Sequence, residues 1–364
     1  MNNKYKISHI QLRGLIVSTS VGVGVLSQSG HLSEIMGNSG WIAIMLTWLL
    51  IIPLFAIYNK IFELYPGKDI FQIGREVFGR LIFTILIAIV LADYILTLAL
   101  ITRNLAELIK IFLLQTTPLE VLLISFILAS SYIACSEIEV IARASYFMYP
   151  LIILFAVIIV LISLPRADFT RILPLFQTDI PSILKGVKDN FFSFIGFEVV
   201  LFAIPFLEKK ENAFKSEVMG ITTVMIIYVA LYIMAISHFS MAQMTSIVYP
   251  TVMLIRQLDL PGFFLENLDG LVIAFWVIVV FSTVAPIYYA SGKIAANIFG
   301  VKKHKYFILM LIPVIYIIAM IPDNFIELLQ DVSRYHNILA FIAIVVIPTI
   351  ILIAALIRKK VFNK

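Results

Sequence analysis

Apolar residues run along the chain in long stretches, with polar ones gathered between them. A helix needs about 20 apolar residues to cross a hydrocarbon core ~30 Å thick. A window of about 19 residues predicts ten such helices, near 10–29, 41–59, 81–101, 119–136, 145–164, 190–207, 218–237, 271–291, 306–322 and 338–357. The first follows Lys4 and Lys6, as the apolar core of a signal peptide would. No convincing small-x-small cleavage site comes after it, and the stretch contains Gly22 and Gly24, so it is read as a retained span.

The pattern falls into two halves of five spans, about 7–165 and 182–357, within one polytopic membrane domain covering 1–364. A polar linker punctuated by Pro165, Pro174 and Pro181 joins them at about 165–181. Five is odd, so the second half must enter the bilayer from the opposite side. Each half opens on a weakened helix: Gly22-Val23-Gly24-Val25-Leu26-Ser27-Gln28-Ser29-Gly30 in the first, Phe194-Ile195-Gly196-Phe197-Glu198 in the second. Glycine costs roughly 1 kcal/mol against alanine inside a helix. Interrupted segments at matching positions of inverted halves point to a solute site at the membrane midplane; small residues that only permit close helix packing are the alternative.

Three short amphipathic segments lie outside the spans, at 69–80, 250–258 and 323–336. The first sets Ile70, Ile73 and Val77 against Gln72, Arg75, Glu76 and Arg80, with Asp69 and Gln72 at capping-box spacing. The last gathers Phe325, Leu328, Leu329 and Val332 on one side. Such segments lie on lipid, cover a site or dock a partner.

Composition fixes the class. Of 364 residues, 61% are hydrophobic and 13% charged, against about 25% charged in a soluble domain. Mean hydropathy is +1.03. A soluble enzyme, a disordered chain and a nucleic-acid-binding module are thereby excluded. The net charge of +5 reflects topology. With the N-terminus placed in the cytoplasm, Lys and Arg divide 19 to 7 in favour of that side, with Arg103 inside a span. Both termini are then cytoplasmic and the linker external, as the positive-inside bias requires. Cys135 is the single cysteine, so no internal disulfide forms.

Ionisable groups at membrane depth are expensive and mark candidate sites. Asp93, Thr97, Asn104 and Glu107 recur on one helical face, with Arg103 four residues before Glu107. That stripe is either one wall of a solute cavity, with Asp93 and Tyr94 nearest mid-depth, or an internal structural network. Glu198, two residues after Gly196, meets an ammonium or cation, caps freed backbone donors, or sits protonated. Ser282 and Thr283 offer hydroxyls to a ligand or ion, or bond back to their own helix. Glu137, Glu139 and Arg143 read as an interfacial charge cluster, and His9, His31, His238, His304 and His336 as scattered near membrane edges. No phosphate loop, H-E-x-x-H or cysteine–histidine metal spacing occurs. An enzyme is not expected, nor any cofactor, and pumping, if any, would be secondary.

The segment from Ile7-Ser8-His9-Ile10-Gln11 to Gly22-Val23-Gly24-Val25-Leu26 resembles the start of spore germination proteins. So do Tyr65-Pro66-Gly67-Lys68 leading to Phe78-Gly79-Arg80, and Phe194-Ile195-Gly196-Phe197-Glu198 leading to Ile204-Pro205-Phe206. Tyr249-Pro250-Thr251, followed by Leu260-Pro261-Gly262-Phe263-Phe264, completes the likeness. The chain is similar throughout to the B subunits of nutrient germinant receptors, in the amino acid–polyamine–organocation superfamily. Order and spacing carry the resemblance rather than any single motif. Asn267 departs, standing where relatives often carry a basic residue.

The resemblance implies an all-α, ten-span, LeuT-like fold of inverted five-helix repeats with broken first and sixth helices. It also implies residence in the inner membrane of the spore, an A-type membrane subunit and a C-type lipoprotein as partners, and sensing of a small nutrient that triggers germination. Transporter relatives bind substrate at the two breaks, which here are Gly22, Gly24 and Val25, then Ile195, Gly196, Phe197 and Glu198. Freed N–H groups beside Gly22 and Gly24 would hold a ligand carboxylate, and carbonyls near Ile195 and Gly196, with Glu198, its ammonium. Phe194, Phe197 and Tyr94 would shape the apolar pocket. An ion-coupled amino-acid transporter of the same fold and a structural subunit without a ligand are the alternatives.

Overall fold

A computed structural model describes residues 6–22, 24–174, 176, 178–256, 268–322 and 333–362. Helix α1 (His9–Ser20) starts at a capping box: the Ser8 hydroxyl accepts from the Gln11 N–H at 3.2 Å, and Gln11 Oε1 accepts from the Ser8 N–H at 2.9 Å. It stops at Val21, whose backbone (φ −83°, ψ 81°) leaves the helix. Helix α2 (Gly24–Met36) follows, so the first predicted span divides where its glycines lie. It runs seven residues past the predicted end, because Gln28, Ser29 and Ser33 lower the hydropathy yet are buried against neighbouring helices.

After a turn at Gly37, α3 (Gly40–Leu64) leads to α4 (Ile70–Phe112). The expected capping box at Asp69 and Gln72 opens α4, and the chain kinks at Gly79 (φ 75°, ψ 173°), a left-handed conformation that glycine tolerates. The turns before the kink are the amphipathic segment read at 69–80. Ile70 and Ile73 are buried, Gln72 and Arg75 exposed, and Arg75 donates to the main-chain and side-chain oxygens of Asn297. Beyond the kink α4 outruns its predicted end at 101 because its polar stripe is paired inside the bundle.

Helices α5 (Leu119–Ala134) and α6 (Ile138–Ser163) complete the first half. In the linker, Asp168 accepts from the hydroxyl and N–H of Thr170, which hold its carboxyl below the usual range, while Arg171 donates to the His238 carbonyl at 2.6 Å. The second half begins earlier than the hydropathy window places it. Helix α7 (Ile180–Phe191) starts ten residues before 190, inside what reads as linker, because Asp179 caps it and Pro181 occupies its first turn. Its amphipathic character, with Ile180 and Leu184 exposed, hid it from an apolar window. The chain then bends by 51° between Ile180–Phe194 and Phe197–Phe206, a stretch that includes the short α8 (Val200–Ala203).

Helix α9 (Ala213–His238), the short α10 (Met241–Ser246) and α11 (Pro250–Arg256), α12 (Leu268–Phe299) and α13 (Lys305–Met320) follow. The last span is α14 (Ser333–Phe341), a π-helical turn at Ile342–Val346 and α15 (Ile347–Phe362). Six helical stretches among the described residues are long and apolar enough to cross a bilayer, seven if the bent pair counts as one; α5 and α13 are apolar but shorter. The segment read at 250–258 is helical to Arg256, and its remainder, like Phe325, Leu328, Leu329 and Val332, lies outside the described residues, as do Val23, Asn267 and 260–264.

Helix α1 runs through the middle of the bundle, against α6, α9 and α12. At Gly14 it nearly touches α6: a Cβ there would lie 2.9 Å from Tyr146 Cα. The half-helices on the linker side also pack together, α2 on α7. Both interruptions are thereby carried into the core.

Candidate functional site

The end of α1 leaves carbonyls without an intrahelical donor. Two side chains from other helices reach them. Thr283 of α12 donates to Ser18 O at 2.8 Å, with Val21 O at 3.3 Å. Tyr228 of α9 places its hydroxyl 2.7 Å from Ser20 O, which also accepts from the Gly22 N–H at 3.0 Å. Interrupting a helix inside an apolar bundle is tolerated only where such partners re-satisfy the backbone.

The second break satisfies itself. Ile195 is extended (φ −51°, ψ 144°) and Gly196 adopts φ 117°, ψ −24°. Only glycine fits there, because the φ is left-handed and a Cβ would run into Thr19 O. The freed Gly196 N–H donates to Glu198 Oε2 at 2.8 Å, while Glu198 Oε1, also buried, accepts no hydrogen bond.

The two breaks meet. Gly196 lies against Thr19, and the Gly24 Cα faces the Ser193 backbone, with a Cβ 3.7 Å from Ser193 Cα. The Tyr228 hydroxyl that caps Ser20 O also lies 2.9 Å from Ser193 O, so one phenol joins main-chain carbonyls of both interrupted helices. Its single proton cannot fully serve two acceptors. On the linker side, Gln28 donates to Asn190 Oδ1 at 2.5 Å and Asn190 to Thr47 Oγ1 at 3.1 Å, tying α2, α7 and α3 together.

The expected site residues separate into groups. Gly22, Gly24, Gly196 and Thr283 stand at the junction, where a Cβ on Gly22 would come within 3.0 Å of Thr283 Cγ2. Phe194 joins them through an edge contact with Tyr228, ring centroids 4.9 Å apart. Val25 is buried and its carbonyl accepts from Thr251 at 3.1 Å; Ile195 is buried beside Gly196. Phe197 points into an aromatic cluster, 5.5 Å from Phe55 and 6.4 Å from Tyr58. Ser282 bonds to its own helix at Val279 O, 2.6 Å, the second of the two readings open to it. Glu198 and Tyr94 line a cavity of ≈ 20 Å³ between α4, the segment after the second break and the last span. That is room for about one water molecule. The rest of its wall is apolar, including Ile70, Val90, Phe202 and Ile347.

Asp93 is elsewhere. The stripe on α4 has partners at Thr97, Arg103, Asn104 and Glu107, while neither carboxylate oxygen of Asp93 accepts a hydrogen bond. Asp93 Oδ1 lies 3.6 Å and Thr97 Oγ1 2.7 Å from His336 Nε2 of α14. Asn104 accepts from Tyr249 at 2.6 Å, and Arg103 pairs with Glu107 at 2.9 Å while donating to Ala319 O at 2.9 Å. His336, at the start of the last span, is buried against the middle of α4 rather than exposed. Its signal was weak, since flanking Arg334 and Tyr335 make the segment look interfacial. Tyr228 had no signal, being an uncharged residue in an apolar run. Glu217, fully buried and accepting from Asn59, escaped because it adjoins the exposed Lys215. The charge cluster at Glu137 holds: Lys293 lies 3.3 Å away and His304 4.0 Å.

Comparison with known proteins places the family and the fold. The family model described as "Spore germination protein" matches residues 6–328. Spore germination protein YndE of Bacillus subtilis (strain 168) is 26% identical over 98% of this chain and 98% of its own length. Spore germination protein B2 of the same organism is 24% identical over 99% and 98%, and GerLB of Bacillus cereus 26% over 95% and 93%. Among solved structures, a nucleobase-cation-symport-1 family transporter in a closed conformation with bromovinylhydantoin bound superposes with a TM-score of 0.68 at 15% identity, covering 96% of this chain and 78% of that one. A Na⁺-coupled sialic acid symporter in a substrate-bound, outward-open state also gives 0.68, at 12% identity, covering 92% and 76%. The fold is therefore that of these transporters.

Proposed function

The chain belongs to the spore germination protein family, and on that premise we propose that it is the nutrient-sensing subunit of a germinant receptor, binding a small solute where the two interrupted helices meet. The observation that supports this most is the convergence of both breaks on one point, with carbonyls of Ser20 and Ser193 sharing the Tyr228 hydroxyl. Main-chain carbonyls there are held by a side chain that a ligand can replace, Ser20 O also accepting from the Gly22 N–H at 3.0 Å. N–H groups at the start of α2 favour a carboxylate, and the paired carbonyls favour an ammonium, as an amino acid carries. Glu198 is assigned first to capping Gly196, and its second oxygen to the small cavity.

The reading includes ten spans: α1 with α2, α3, α4, α5, α6, α7 with its continuation to Phe206, α9, α12, α13, and α14 with α15. Both termini face the cytoplasm, in two inverted repeats of about 7–165 and 182–357, in the inner membrane of the spore. An A-type membrane subunit and a C-type lipoprotein receive the signal. Ligand binding favours one closure state, and partners respond through different affinities for the two states.

The test is Gly24→Leu, which fills the gap beside Ser193. With receptor levels unchanged, the nutrient response is expected to fall at least about tenfold, the effect of ~1.4 kcal/mol in binding. An unaltered dose–response curve contradicts the assignment. Accumulation of labelled solute in proteoliposomes, rather than saturable binding alone, supports the transporter reading, which the symporter-like fold keeps in view.

A further inference from the structure

We propose that Asp93, Thr97 and His336 form a proton-binding latch that holds α14 against α4, and that losing its proton frees that end of the last span. The three side chains are in contact. The Thr97 hydroxyl lies 2.9 Å from the Asp93 main-chain oxygen and 2.7 Å from His336 Nε2, accepting from that nitrogen when it carries a hydrogen. Asp93 Oδ1 stands 3.6 Å from the same nitrogen. Neither carboxylate oxygen of Asp93 accepts a hydrogen bond, and its side chain is 0% exposed.

An ionised carboxylate so placed carries a desolvation penalty of several kcal/mol unless paired. One proton removes the problem in either of two places. On Asp93 it makes the acid neutral; on His336 it makes an imidazolium beside the carboxylate. Either way the pair is uncharged and stays buried. Without that proton the pair is a buried anion, and water is the remedy. The other groups around Asp93 make matters worse. Glu198, on the segment after the second break, is within electrostatic reach and anionic when ionised, and Tyr94 on α4 is a neutral phenol. Among the described residues, no lysine or arginine side chain pairs with Asp93.

The mechanical setting suits a latch. It joins α4 of the first half to the last span of the second. Six residues beyond His336, that span passes through the π-helical turn Ile342–Val346, with Ile344 O accepting from Tyr58 at 2.7 Å. A π turn is a local weak point in a helix and often marks a moving part. Helix α14 can therefore pivot there while α15 stays packed on α3.

The test reads exposure of Ala340, which is fully buried on α14. Ala340→Cys is placed in a Cys135→Ser background, in the full chain in lipid nanodiscs, and labelled with a maleimide. Rates are divided by those of a Thr116→Cys control, exposed in the turn between α4 and α5, to cancel thiol chemistry. A one-proton latch changes its open-to-closed ratio by up to about tenfold per pH unit. The relative rate is expected to rise on that scale as pH is raised, to stay flat in Asp93→Asn, and to rise over a different pH range in His336→Gln, where Asp93 alone holds the proton. A flat profile with both residues intact, or the same rise in Asp93→Asn, overturns the proposal. If Ala340→Cys does not assemble, melting temperature against pH carries the test. It falls more with rising pH for the native chain than for Asp93→Asn, since the buried Glu198 and Glu217 act in both; parallel curves overturn it.

Discussion

The two interrupted helices reach the same end by opposite means. The second break is written locally: Gly196 supplies a backbone conformation closed to other residues, and Glu198, two positions on, caps the N–H that the break exposes. The first break is written at a distance: its carbonyls are met by Thr283, 265 residues from Ser18, and by Tyr228, 208 residues from Ser20. A break of the first kind persists whatever packs around it. One of the second kind exists only while the bundle is assembled around α1. The broken α1 thus depends on α9 and α12 for its capping, while the N–H freed at the second break is capped from within its own segment.

Substitutions can pull this contrast apart. Gly196→Ala forces a left-handed conformation on a residue with a Cβ and drives that Cβ into Thr19 O. Its expected cost is about 3 kcal/mol, seen as a large fall in melting temperature of the detergent-solubilised chain. Tyr228→Phe removes the donor shared by both breaks. It is expected to cost about 2 kcal/mol and to weaken nutrient responses more than it lowers melting temperature. Thr283→Val leaves Ser18 O without its partner from α12. Bilayer-buried interhelical bonds average about 0.6 kcal/mol and reach ~1.7, so a loss near 1 kcal/mol is expected by the same melting measurement. Ser282→Ala, next door, removes only a bond within its own helix and should change stability by less than about 0.5 kcal/mol. If Ser282→Ala matched Thr283→Val, the first break would not depend on distant capping.

The same contrast explains what was legible in the sequence. Glycine clusters announce a break, so Gly22, Gly24 and Gly196 were found, and the local cap Glu198 was found with them. Distant caps leave no mark in a single chain. Thr283 was a coin-toss beside Ser282, because a hydroxyl in an apolar helix looks alike whether it bonds inward or across. Hydropathy located most spans but missed the start of α7, where half the helix is polar. It also truncated α4, whose later charges are silenced by pairing, Arg103 with Glu107. The burial of His336 was not legible because it depends on α14 folding back onto α4.

The account rests on solute binding at the junction of the breaks, and equilibrium binding of a labelled nutrient amino acid to the membrane-embedded full chain tests it most directly. Saturable binding that Gly24→Leu abolishes, while Ser282→Ala leaves it intact at equal folded protein, is the expected result. Undiminished binding to Gly24→Leu would contradict it.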